Sequence, residues 1–280
     1  MATQPVSVVH KKCIGDIRVR LDVTNRLCRG GFYMADDRTV DALIFAGGVG
    51  RRMGAGSRPK QFLELGGKPI IAYTLDHFEQ CERVTGITVA CLPDWIDYLE
   101  EIVRRQGYRT PITIVPGGKT GFESRLNALE EIHSHHPEDE GAIVLVHDGV
   151  RPLINADTIS DCIDATIEHH CVATTAPCVE TVIVQDENGK VVKVEDRSRC
   201  FLARAPQGFF TNELYRAHLR ARDEKRDFVD SVSLMSYYGY DVFTVLGPAE
   251  NIKVTTPTDY FAFKSFVDER DMRMLWEGRK

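Results

Sequence analysis

An α/β fold is predicted for this sequence, a mostly parallel β-sheet flanked by helices, with a β-hairpin arm inserted late in the chain. Three observations lead there. Short runs rich in β-branched residues alternate with longer segments whose apolar residues recur every three or four positions. The first such run stops abruptly in glycines and basic residues, as a strand does where it meets a ligand. One later stretch alternates apolar and polar residues on both sides of Asn188-Gly189, the strongest short hairpin signal.

In chain order, the strands expected are VDALIFA (40–46), ITVACLP (87–93), PITIV (111–115), AIVLVHD (142–148), CVATTAP (171–177) and DVFTVLG (241–247). Between them, segments 69–81, 95–107, 121–136 and 156–170 carry an apolar stripe at helical spacing. Strand alternating with helix requires crossovers, and hence parallel strands covered on both faces. The stretch 180–210 breaks this rhythm, and its arm, about 179–204, reads as a lid or an oligomer contact. Residues 39–275 are expected to form a single domain. Residues 1–38 are basic and lack sustained periodicity. They are expected to be a poorly ordered extension or the product of an upstream start codon, with a small functional appendage as the alternative.

Composition narrows the function. The 280 residues are 43% hydrophobic and 27% charged, so the chain can bury a core of ordinary size. A net charge of −6 gives no global basic field for a nucleic acid, and any anion site must be local. The eight cysteines are scattered without a C-x-x-C pair, which signals neither a zinc site nor a redox dithiol. Several, such as Cys91, sit in apolar runs and read as small core residues of a reducing compartment. No stretch approaches the roughly 18 apolar residues of a membrane span. A cytoplasmic protein with neither a nucleic-acid nor a membrane partner is expected.

The glycine-rich stretch after the first strand, LIFAGGVGRRMGAGSRPKQFLELGGKP (43–69), nearly matches a dinucleotide fingerprint, but Met53 stands where the third glycine belongs. GGKT (117–120) resembles the end of a Walker loop, yet Thr113 occupies the required glycine position. What remains is a long loop at the carboxyl end of a strand, carrying Arg52 and Lys60. Such a loop can cradle phosphate oxygens with its N–H groups while the cations offset their charge. The alternative is an ordinary solvated loop.

Two further positions converge on the same sheet edge. Asp148 ends the run AIVLVHD, where a hard carboxylate beside phosphates is a magnesium ligand; its alternative roles are a helix cap or a partner of Arg151. Lys253 lies between Ile252 and Val254, just before a helix that Pro257 can open. It either snorkels to solvent or aims its ammonium into the crevice.

In this order, AGGVGRRM followed by PKQFLELGGKPI, then HDGVRP, EDR with APQGFF, and NIKVTTPTDY resemble the cytidylyltransferases that act on polyol phosphates. The resemblance spans about 40–266. It implies a Rossmann-like fold of the nucleotide-diphospho-sugar transferase type, with CTP, Mg²⁺ and a polyol phosphate as ligands. It further implies that Arg52, Lys60 and Lys253 are catalytic cations, and that Ala46, Gly47, Gly48, Gly118 and Ser124 contact CTP. Asp148 would bind the metal, and Arg151, Thr181 and Arg197 the polyol phosphate. In this family the arm pairs two subunits, so a homodimer is implied in which Thr181 and Arg197 serve the neighbour's site. Departures from the erythritol-phosphate branch include Gly121 in place of an arginine and Ala205 in place of a threonine. FAGG, HDGVRP and PKQFLELG lean toward ribitol 5-phosphate as acceptor, with 2-C-methyl-D-erythritol 4-phosphate as the alternative.

The chemistry suits these residues. A phosphate-monoester dianion is already a nucleophile at neutral pH and needs no general base. Accordingly no Ser/His/Asp or Cys/His arrangement stands out, and the histidines of HSHH (133–136) and EHH (168–170) read as polar helix ends. Two other readings are a related nucleotidyltransferase using UTP or GTP, and a non-catalytic nucleotide-binding protein of the same fold.

Overall fold

The structure, a computed structural model, describes residues 38–48 and 58–277. The expected extension, apart from Arg38, and the loop segment 49–57 with Arg52 lie outside the described residues.

The elements run β1 (Val40–Ala46), β2 (Glu64–Leu65), β3 (Lys68–Pro69), α1 (Ile70–Glu79), β4 (Gly86–Cys91), α2 (Ile96–Gln106), β5 (Ile112–Pro116), α3 (Gly121–His135) and β6 (Ile143–Asp148). Then follow α4 (Ala156–His169), β7 (Cys171–Pro177), β8 (Ile183–Gln185), β9 (Val191–Val194), β10 (Phe201–Phe210), α5 (Thr211–Asp223), α6 (Ser231–Tyr237), β11 (Phe243–Leu246) and α7 (Pro257–Glu277). Among the described residues seven strands form the main sheet, in the order β11-β7-β10-β6-β1-β4-β5. Every pairing in it is parallel except those of β10, which runs antiparallel between β6 and β7.

The strands are apolar on both faces because both faces are covered. In β1, Ala42 and Ile44 point into one core with Leu75, Phe78 and Ile159, while Leu43 points into the other with Leu129, Val144 and Phe209. The helices start where local chemistry dictates. Thr120 accepts the Glu123 N–H at 3.1 Å to cap α3, and Asn155 accepts the Thr158 N–H at 2.8 Å to cap α4. Gly107, at φ 67°, closes α2 in the left-handed conformation.

The second expected strand, 87–93, ends at Cys91, because Pro93 opens a 3-10 turn, Pro93–Trp95, instead of continuing the ladder. Gly189, at φ 83°, makes the hairpin turn between β8 and β9. The segment expected to complete the arm is a ten-residue strand, β10, whose second half is buried in the middle of the sheet. Helices α5 and α6 were not anticipated. In α5 the apolar stripe, with Leu214, Ala217 and Ala221 buried, is diluted by arginines and acids in the sequence, and α6 is only seven residues long. Among the described residues no helix is long and apolar enough to cross a membrane.

Candidate active site

The carboxyl ends of β5, β4, β1 and β6 lie in a row, with Pro116 opposite Cys91, Cys91 opposite Ala46, and Phe45 opposite Asp148. Open parallel sheets bind ligands along such an edge.

On the β1, β4 and β5 side, backbone comes close to backbone. The Gln61 side chain donates to the Ala46 carbonyl at 2.6 Å. A Cβ on Gly47 would lie 3.2 Å from Ser124 Oγ, and one on Gly48 would lie 3.7 Å from Lys60 Cε. Ser124 Oγ accepts the Gly118 N–H at 3.0 Å and donates to the Thr120 carbonyl at 2.8 Å. A Cβ on Gly118 would stand 2.3 Å from Glu123 Cβ, so only glycine fits against the first turn of α3. Ala46, Gly47, Gly48, Lys60, Gly118 and Ser124, distant in sequence, are therefore neighbours. The arrangement leaves small residues along this part of the sheet edge.

On the β6 side the groups are charged. Asp148 accepts Lys253 Nζ at 2.7 Å on Oδ1 and Arg151 Nε at 2.8 Å on Oδ2. Burial pushes the Asp148 carboxyl up, but the charges of Lys253 and Arg151 and their hydrogen bonds outweigh it and hold it well below the usual carboxylate range. Arg151 is in turn fixed by donating Nη1 to the Asn251 carbonyl at 3.1 Å. His147, on the opposite face of β6, donates Nε2–H to the Arg151 carbonyl at 3.2 Å. Burial drives its pKa down to about 3, so the ring is neutral, a structural histidine rather than an acid or base for the cavity.

These residues wall a cavity of about 320 Å³. Phe45, Gly121 and Arg125 line one side; Asp148, Arg151 and Lys253 line another; Arg204, Ala205, Gln207 and Val229 to Ser231 close it. Two of the cations had no signal in the sequence. Arg125, 7% exposed, donates to the carbonyls of Phe228 at 2.7 Å and Val229 at 3.4 Å, tying α3 to the loop before α6. Its guanidinium passes within 3.5 Å of where a Cβ at Gly121 would be. Arg204 projects from β10. Only the unusual side-chain-free Gly121 beside an arginine at helical spacing could have hinted at Arg125.

Thr181 and Arg197 do not line this cavity. Both are exposed on the arm, where Arg197 donates to the Val179 carbonyl at 3.0 Å. Arg52 lies outside the described residues. Among the described residues no cluster of three or more metal-ligating side chains occurs. A lone ionised carboxylate still fits Mg²⁺, which takes one or two protein carboxylates and completes its shell with substrate oxygens and water. Each Asp148 oxygen already accepts one hydrogen bond from a cation, so a metal there would share the carboxylate with Lys253 and Arg151 or take the place of one of them.

Comparison with known proteins points one way. Residues 40–269 match the family described as "IspD: 2-C-methyl-D-erythritol 4-phosphate cytidylyltransferase". The chain is 45% identical to a ribitol-5-phosphate cytidylyltransferase of Vibrio parahaemolyticus, over 82% of this chain and 96% of that one. It is 36% identical to a 2-C-methyl-D-erythritol 4-phosphate cytidylyltransferase of Geobacter metallireducens, over 82% and 98%. Among solved structures, a 4-diphosphocytidyl-2C-methyl-D-erythritol synthase of Anaerococcus prevotii superposes with a TM-score of 0.71 at 25% identity, over 82% and 96%.

Proposed function

We propose that this chain, which belongs to the IspD family of cytidylyltransferases, transfers CMP from CTP to D-ribitol 5-phosphate, giving CDP-ribitol and pyrophosphate in the cytoplasm. The observation that carries the reading is the joining, along one sheet edge, of the glycines that follow β1, Gly47 and Gly48, and a cation-clasped carboxylate at Asp148. The 45% identical relative named for ribitol 5-phosphate supports the acceptor, as do the HDGVRP and FAGG stretches.

In the proposed reaction an oxygen of the acceptor's phosphate dianion attacks the α-phosphorus of CTP. A new P–O bond forms there, the bond to the β-bridging oxygen breaks, and pyrophosphate leaves with that electron pair. No proton moves in the bond-making step. Gly47, Gly118 and Ser124 hold the nucleoside, and Gly48, Lys60 and Arg52 hold the triphosphate. Arg151 binds the acceptor phosphate. Lys253 turns from Asp148 toward the reacting phosphoryl group, where a cation is worth a factor of about 10² in rate. Asp148 is the residue that would hold Mg²⁺, which, when bound, offsets charge on the triphosphate as a Lewis acid.

The arm extends this reading to a homodimer. Val192 and Val194 are 59% and 61% exposed, on a hairpin that packs little against its own domain. Pairing of two arms would cover them and carry Thr181 and Arg197 to the neighbour's cavity.

The deciding assay supplies CTP and Mg²⁺ with D-ribitol 5-phosphate or with 2-C-methyl-D-erythritol 4-phosphate, and follows pyrophosphate. Ribitol 5-phosphate is expected to give the higher kcat/KM by about tenfold or more, about 1.4 kcal/mol in transition-state binding. A preference for the erythritol compound reassigns the acceptor within the family; a preference for UTP or GTP over CTP overturns the donor.

A further inference from the structure

One guanidinium in the cavity has no protein acceptor among the described residues. Four cations line the cavity, Arg125, Arg151, Arg204 and Lys253, against two carboxylates, Asp148 and Asp230. The surplus is two positive charges, the complement of a phosphate-monoester dianion. Three of the four cations have acceptors: Arg151 and Lys253 clasp Asp148, and Arg125 is spent on two carbonyls. Arg204 has neither a carboxylate nor a carbonyl acceptor for its side chain among the described residues, and its Nε is buried without a partner. Burial, and then the neighbouring charge of Arg151, push its guanidinium pKa down.

The backbone is built to present it. In β10, Ala203 stands opposite Thr175 and Gln207 opposite Ala173, so residues 204–206 face the single residue Thr174 in a bulge. Thr174 Oγ1 donates to the Pro206 carbonyl at 2.7 Å, and Asn251 Nδ2 donates to the Ala205 carbonyl at 2.7 Å. Asn251 also accepts from Arg151 through its own carbonyl. One fully buried asparagine therefore fixes both Arg151 and the bulge that carries Arg204. Sheet order separates the two ligands. The glycines, Lys60 and Ser124 belong to the β1, β4 and β5 side, whereas Arg151, just after β6, and Arg204, in β10, lie on the other.

We infer that Arg204 is a specificity-determining residue that, together with Arg151, takes the phosphate dianion of the acceptor. The acceptor site then selects a doubly charged monoester over a neutral polyol or a singly charged diester. This rests on the cytidylyltransferase reading above, and the test separates the two.

Full-length wild type and Arg204→Ala are compared in two ways. In kinetics, Arg204→Ala is expected to raise KM for the acceptor by about 10- to 100-fold, the range for losing a charge-assisted hydrogen bond, and to leave KM for CTP within about twofold. Arg204→Lys recovers part of the loss. In thermal denaturation with inorganic phosphate, stabilisation is expected to need at least about fivefold more phosphate in Arg204→Ala, while the ligand-free midpoint stays level or rises as the repulsion with Arg151 is removed. An active wild type whose acceptor KM is unchanged by Arg204→Ala overturns the proposal and leaves the cytidylyltransferase reading standing. A wild type inactive with every polyol phosphate, combined with a lost phosphate response in Arg204→Ala, overturns the acceptor and keeps Arg204 as a dianion contact. Equal phosphate responses in both proteins count against Arg204 in either case.

Discussion

Lys253 Nζ sits 2.7 Å from Asp148 Oδ1, across 105 residues of sequence, and both side chains face the cavity. The contact pairs the ammonium with the carboxylate that the proposed reaction assigns to the metal. In the proposed reaction the ammonium would pass to a phosphate and the carboxylate would be left to hold Mg²⁺, so neither charge need be unpaired.

Lys253→Ala is expected to lower kcat by about 10²-fold in a folded protein. Its cost in stability should be only about 1 kcal/mol, because the lysine is more than a third exposed and Arg151 remains beside Asp148. Near-native turnover in denaturation-checked protein would remove Lys253 from the reaction.

Asp148→Asn tests the metal. Turnover should fall by at least about 10²-fold and need more Mg²⁺ to saturate, since one of few hard ligands is gone. Its stability should also respond differently to acid. The Asp148 carboxyl is depressed in the fold, so its contribution is present above the unfolded value and is lost as pH falls through the folded one. Asparagine at this position should blunt that loss in urea midpoints measured below about pH 4.

Three histidines predict acid sensitivity in a milder range. Burial lowers His147 to about 3, His218 to about 4, and His77 to about 4 with help from Arg270. Between these values and the ordinary 6.5 the unfolded chain binds protons that the folded one refuses, so stability falls as pH falls through this window. Each contributes up to about 1.4 kcal/mol per pH unit. His218→Gln should flatten the slope of unfolding free energy by one proton; an unchanged slope would mean that His218 is protonated in the fold.

Ser124→Ala removes the hydroxyl that joins Gly118 to Thr120. The expected result is a loss of about 1–2 kcal/mol of stability and a KM for CTP raised about tenfold, with the acceptor KM little changed. Equal effects on both substrates would place Ser124 outside the nucleoside contact.

Charging the arm, as in Val192→Asp with Val194→Asp, should convert a dimer to a monomer in light scattering at about 10 μM and weaken acceptor binding in parallel. A wild type that sediments as one chain at that concentration rejects the arm-paired assembly outright.

Much of this was legible in one dimension. The β-branched runs and helical stripes located the parallel strands within a few residues, because burial on both faces leaves no polar phase to blur the pattern. Asp148 was visible as the residue that ends an apolar strand. Asn188-Gly189 announced a hairpin, since the turn requires a residue free to take positive φ. The sequence alone therefore determined the strand–helix rhythm and the glycines that follow β1.

Only the tertiary structure decided which charges meet. Arg125 and Arg204 carry no local signal, for an arginine in a helix or an exposed strand reads as solvated. Arg125 is buried by contact with a loop 103 and 104 residues away, and Arg204 is turned into the cavity by a bulge that Asn251 and Thr174 hold in place. Strand β10 escaped for the same reason: its place between β6 and β7 depends on a chain reversal through the arm. Periodicity records which face of an element is buried, whereas the pairing of charges depends on crossovers and sheet order that bring remote residues within hydrogen-bonding distance.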